Sequence, residues 1–123
     1  MEVVNPRLFV SQAGERFDLI VEYTATFVPQ EANFVFEDWV RFFERDSGED
    51  FDSFDPNIET PREEIRPNGQ TSIFRRRQKL GVTEDNLDTG FGDEDLVGFV
   101  NLRNVTLNGQ PVSKRTPITV IDA

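Results

Sequence analysis

The most regular stretch of the chain is residues 16–27, where Phe17, Leu19, Val21, Tyr23, Ala25 and Phe27 occupy every second position. Asp18, Glu22, Thr24 and Thr26 lie between them, with Ile20 the one apolar exception. Successive side chains of a strand point to opposite faces, so this alternation predicts a strand with one core face and one mostly wet face. Residues 7–11 predict a short edge strand before it, ended by a turn through Ala13-Gly14. Residues 71–82 and 96–105 predict two further strands, and a last one falls around residues 118–121.

Residues 34–44 fit two patterns. Phe36, Trp39, Val40 and Phe43 have helical spacing, with Glu37, Asp38, Arg41 and Glu44 on the far side. Yet Phe34, Val35, Phe36, Trp39, Val40, Phe42 and Phe43 are good strand formers and indifferent helix formers. Read as a strand, the segment needs a bulge near Glu37-Asp38 to restore alternation. Residues 45–71 are rich in loop signals, with Pro56, Pro61, Pro67 and Gly69, and leave room for one short strand within residues 58–66. Pro67-Asn68-Gly69-Gln70 and Asn108-Gly109 are turn sequences, because Asn and Gly tolerate positive φ.

About seven short strands joined by Gly, Pro and Asn turns predict an all-β fold: a single-domain, two-sheet antiparallel β-sandwich over residues 1–123, immunoglobulin-like or C2-like, with long acidic loops. A chain of 123 residues is long enough to bury one core without staples. The cysteine–tryptophan–cysteine pattern of antibody domains is missing, and no family-specific motif is evident.

Composition narrows the chemistry. The chain has no histidine and no cysteine, so the commonest general base, the usual zinc ligands and any disulfide are excluded. Only an oxygen-liganded cation such as calcium or magnesium suits the donors present. The net charge of −10 opposes nucleic acid and anionic membrane surfaces as partners. No apolar run is long enough to span a membrane and no signal peptide is evident, so a soluble protein of unassigned compartment is expected. Asn104-Val105-Thr106 matches a glycosylation sequon, a triplet that also arises by chance.

The charge is unevenly placed. Residues 44–55 carry six acids against Arg45 and residues 84–95 carry six acids and no base, so these windows hold −5 and −6. The remaining residues carry +12 and −11, a sum of +1. If the strands alternate up and down with one strand within 58–66, both acidic loops leave from one pole. The Asn68-Gly69 and Asn108-Gly109 turns then sit at the other. Calcium takes six to eight oxygens from such loops, which makes Asp46, Asp50, Asp52, Asp55, Asp85, Asp88, Asp93 and Asp95 the candidate ligands. Simple solvation of the loops is the competing reading, and Arg75, Arg76 and Arg77 are candidate internal counter-charges. Phe51, Phe54 and Phe91 lie within the acidic windows and are candidate contacts for a protein partner, unless they pin the loops to the sandwich.

Asp46-Ser47-Gly48 and Asp88-Thr89-Gly90 match the aspartic-protease triplet but lack its apolar context and read as wet turns. The expectation is a non-enzymatic binding or scaffolding module without a cofactor. A calcium-binding module is the alternative, and a hydrolase using a carboxylate pair a distant one.

Overall fold

The computed structural model of the protein describes residues 1–46, 58–83 and 93–122. Among the described residues there are nine strands: β1 (Glu2–Ala13), β2 (Arg16–Thr26), β3 (Phe36–Asp46), β4 (Ile58–Glu59), β5 (Glu63–Ile65), β6 (Ser72–Thr83), β7 (Asp93–Asn104), β8 (Val112–Arg115) and β9 (Thr119–Asp122). Pro29–Glu31 makes one 3-10 turn, whose Glu31 carboxylate accepts from the Val28 N–H at 2.9 Å. One sheet has the order β1-β2-β6; in the other, β3 and β7 form the centre, flanked by β4 and β5 on one side and by β8 and β9 on the other. All pairings are antiparallel. The protein is an all-β, two-sheet antiparallel sandwich.

The split edges have a common cause. Thr60-Pro61 separates β4 from β5, and Thr116-Pro117 separates β8 from β9. Proline cannot donate to a ladder, so each edge strand breaks there. In each break the threonine replaces the lost pairing with its own side chain. The Thr60 N–H donates to the Val40 carbonyl at 2.9 Å, and Thr60 Oγ1 accepts from the Val40 N–H at 3.0 Å. Thr116 does the same for Gly98, at 2.9 and 3.0 Å. Both threonines are buried. Counting each broken edge once leaves seven strand lines, three in one sheet and four in the other.

Alternation along β2 builds the core. Phe17, Leu19, Val21, Tyr23 and Ala25 are buried against Val40, Phe42, Leu96, Val100 and Leu102 of the facing sheet. The facing sheet packs closely over Gly98, where a Cβ would stand 2.9 Å from Val21 Cγ2, and 3.3 Å from Val40 Cγ1 of the neighbouring strand. Phe27 packs its ring 4.6 Å from that of Phe36, so the end of β2 lies level with the start of β3.

Three expectations need correction. Within residues 34–44 the chain is a strand from Phe36 onward, and its ladder with β7 runs from Phe36 to Asp46 without a register shift, so there is no bulge at Glu37-Asp38. The helical spacing was coincidental: Asp38 sits on the inward face like Phe36 and Val40, and is accepted there by polar partners described below. The edge strand expected at residues 7–11 is the full β1. Its alternation is hidden by a bulge in which Asn5, at φ 53°, and Pro6 together oppose the single Tyr23. The strand β8, between the Asn108-Gly109 turn and β9, has no clear signal because all four of its residues are exposed.

Candidate functional site

A buried polar network lies inside the sandwich, where the edges β5 and β6 meet. The Arg75-Arg76-Arg77 run divides by strand parity. Arg76 faces solvent 3.9 Å from Glu22, while Arg75 and Arg77 point between the sheets. They converge on Asp38, which is fully buried. Asp38 Oδ2 accepts from the Tyr23 hydroxyl at 2.5 Å and from Arg75 Nε at 3.1 Å, and Oδ1 accepts from Arg75 Nη2 at 3.3 Å. Arg77 Nε lies 3.2 Å from Oδ1 but is not aligned to donate, so that contact is Coulombic. Glu63 of β5 closes the network: Arg75 Nη2 donates to it at 2.9 Å and Arg77 Nη1 also donates to it, while Arg77 Nη2 reaches the Pro61 carbonyl.

Two carboxylates and two guanidiniums make this network neutral. Burial, reinforced by the Asp38 charge and hydrogen bond, pushes the Tyr23 hydroxyl well above its ordinary range. Burial alone would lower Arg75, but its hydrogen bond and charge interaction with Asp38, helped by Glu63, more than offset this and hold it above its usual range. Tyr23 is thus a fixed proton donor rather than a base or nucleophile. The arrangement ties the two sheets together. Among the described residues, Arg75 and Arg77 find their counter-charges in Asp38 and Glu63.

The outer face of the three-stranded sheet is different. Phe74, the third residue of β6, is 64% exposed and Phe9, inside β1, is 47% exposed. Between them runs a row formed by Arg7 of β1, Glu22 of β2 and Arg76 of β6, directly opposite one another. The β1 bulge at Asn5-Pro6 sits beside this row and opens a shallow groove of about 270 Å³, lined by Asn5, Arg7, Phe9, Phe74 and the Glu22-Tyr23-Thr24 stretch of β2. That is below the ~300–1,000 Å³ of small-molecule sites, and suits a protruding side chain better than a whole ligand. A second notch on the other side of Phe9 is bounded by Pro117 and Thr119.

The ends of the strands define an acidic pole. Asp46, the last residue of β3, pairs with Glu94 near the start of β7, and Arg16 at the start of β2 pairs with Thr83 at the end of β6. With Phe27 level with Phe36 and β2 antiparallel to β3, the chain leaves β3, leaves β6 and enters β7 at the same pole. Of the eight aspartates read as calcium ligands, Asp46 and Asp93 are strand-terminal, with Asp93 opposite Asp122. Asp95 is buried within β7, opposite Arg45. Asp50, Asp52, Asp55, Asp85 and Asp88 lie outside the described residues, as do Phe51, Phe54 and Phe91. Among the described residues, no three acidic side chains converge in a way that could hold a metal ion.

No family model and no curated protein matches this sequence. Among solved structures, a protein of Arabidopsis thaliana determined in solution superposes with a TM-score of 0.48 over 98% of this chain and 79% of its own, at 12% identity. No conclusion rests on that likeness. No helix among the described residues is long and apolar enough to cross a membrane.

The sequence reading missed both the interior network and the outer groove. The network had a signal: Asp38 shares parity with Phe36, Val40 and Phe42, and Arg75 and Arg77 share parity with Ile73. Charges on an otherwise apolar strand face must find one another. The groove had none, because Phe9 and Phe74 look like the other phenylalanines until the sheets assign their faces.

Proposed function

We propose that this domain is a non-enzymatic binding or scaffolding module whose contact surface is the outer face of the β1-β2-β6 sheet. The observation that carries it is the exposure of Phe9 and Phe74 around one groove, while every other aromatic among the described residues is buried or half-buried. Single exposed apolar residues are ordinary; two flanking a bulge-opened groove that holds Arg7 and Glu22, with Arg76 beside it, resemble the anchors and polar rim of a protein interface. The order of the seven strand lines supports an immunoglobulin-like reading: first, second and fifth in one sheet; fourth, third, sixth and seventh in the other. The constant-type immunoglobulin order differs by placing the fourth line beside the fifth.

A peptide-display selection on the intact protein tests this. Sequences enriched on the native protein should be lost on a Phe9→Ser/Phe74→Ser variant that keeps its thermal midpoint. Enrichment indifferent to the two substitutions, or none at all, sinks the reading.

The register at the acidic pole favours a second reading, a calcium-binding module, because the two acidic windows enter and leave the sandwich side by side. A bound ion stabilises the folded state by mass action. A thermal midpoint that does not move between chelator and millimolar calcium rules that reading out.

A further inference from the structure

We infer that the occupant of the outer groove is the acidic, phenylalanine-bearing segment 49–55 of a second copy of this chain. The inference rests on the binding-module reading and adds the partner to it. The groove presents two apolar walls, Phe9 and Phe74, with the Arg7 guanidinium and the Glu22 carboxylate between them, and Arg76 stands beside it, opposite Glu22 on the next strand. Arg7 has no acidic group within 4.0 Å among the described residues, and Arg76 has only Glu22 at 3.9 Å. An aromatic side chain flanked by carboxylates complements that surface: the ring enters between the two phenylalanines, and the carboxylates reach Arg7 and Arg76. The chain carries this combination in Asp50-Phe51-Asp52 and again in Phe54-Asp55.

The spacing agrees. Phe9 lies opposite Ile20 and Phe74 opposite Thr24, two strand spacings and four residues apart, about 16 Å along the sheet. An extended stretch from Phe51 to Phe54 covers about 10 Å, within that reach. The donor segment leaves β3 of the four-stranded sheet, and the groove is on the outer face of the other. The contact sets one end of a copy against the flank of another, so it gives a two-fold dimer if it is reciprocated and short chains of copies if it is not. The net charge of −10 repels copies at long range. Contact must then come from local complementarity and be weak and concentration-dependent.

Two measurements test it. A synthetic peptide spanning residues 47–56 is titrated onto the intact protein. Saturable binding is expected, weakened about tenfold or more by Arg7→Glu or Phe74→Ser in the protein, and by replacing Phe51 and Phe54 with serine in the peptide. Sedimentation velocity on the intact chain should show association that grows with concentration and disappears in Arg7→Glu. No saturable binding at about 1 mM peptide, or binding indifferent to the groove substitutions, overturns the inference. So does an intact chain that stays monomeric while the peptide binds. A display selection that yields other groove-dependent sequences while this peptide fails leaves the binding-module reading standing and removes only the partner.

Discussion

Replacing Asp38 with alanine removes the centre of the interior network. The carboxylate is fully buried and receives the Tyr23 hydroxyl and Arg75, with Arg77 alongside. Without it, Arg77 keeps Glu63 and the Pro61 carbonyl, and Arg75 keeps Glu63, whose side chain is half in solvent. Arg75 and Arg77 are 17% and 9% exposed, so neither guanidinium can recover full hydration. Breaking a buried pair in this way costs roughly 3–5 kcal/mol, against a typical domain stability of about 5–15 kcal/mol. With a urea m-value of about 2 kcal/mol/M, the midpoint should fall by about 1.5 M or more. Asp38→Asn keeps an acceptor for Tyr23 and should fall between alanine and the native protein. Replacing Asp38, Arg75 and Arg77 together with leucine and methionines should recover most of the loss, because a packed apolar set avoids desolvating charge. The single tryptophan, Trp39, lies under the Arg62 guanidinium at 4.0 Å and reports unfolding by fluorescence. A loss below about 1 kcal/mol for Asp38→Ala refutes the reasoning. So does an Arg75→Met effect that is the same with and without Asp38, since coupled residues must depart from additivity.

Three other outcomes follow from the same geometry. Tyr23 is the only tyrosine, and its folded-state pKa is raised above the unfolded value of about 10. Its contribution is therefore complete below about pH 10 and is lost as pH rises toward the folded pKa; phenolate absorbance should appear only together with loss of Trp39 fluorescence, and a phenolate signal in the folded protein contradicts the placement. Gly98→Ala puts a methyl against two stiff β-branched side chains and should cost about 1–3 kcal/mol by urea denaturation. The same change made in a Val21→Ala background should cost clearly less, and an equal cost in both would mean that sheet approach is not the cause. Thr116→Val leaves the Gly98 N–H without its 3.0 Å acceptor and should lose about 1–3 kcal/mol, whereas Thr116→Ser should lose much less. Equal losses in those two variants would show that the hydroxyl is not the relevant group.

The alternation in residues 16–27 was enough to specify β2, its faces and the core it builds, because a two-residue period survives any tertiary context that keeps one side wet. Turns at Asn68-Gly69 and Gly14 were equally local: Asn68 and both glycines adopt the positive φ that their residue types permit. The grouping of negative charge into two windows is also a property of the linear chain. What the linear chain could not decide is which partner a polar residue meets. Asp38 looks like a fault in a strand until Tyr23 and Arg75 arrive from the other sheet, with sequence separations of 15 and 37 residues. The Thr-Pro breaks look like loops until Val40 and Gly98 stand opposite them. Phe9 and Phe74 look like core until the sheet turns them outward. In each case the deciding energy is a long-range contact, which local preference neither contains nor forbids. The sandwich was legible from its alternation, while the groove that gives it a candidate function exists only once three strands are laid side by side.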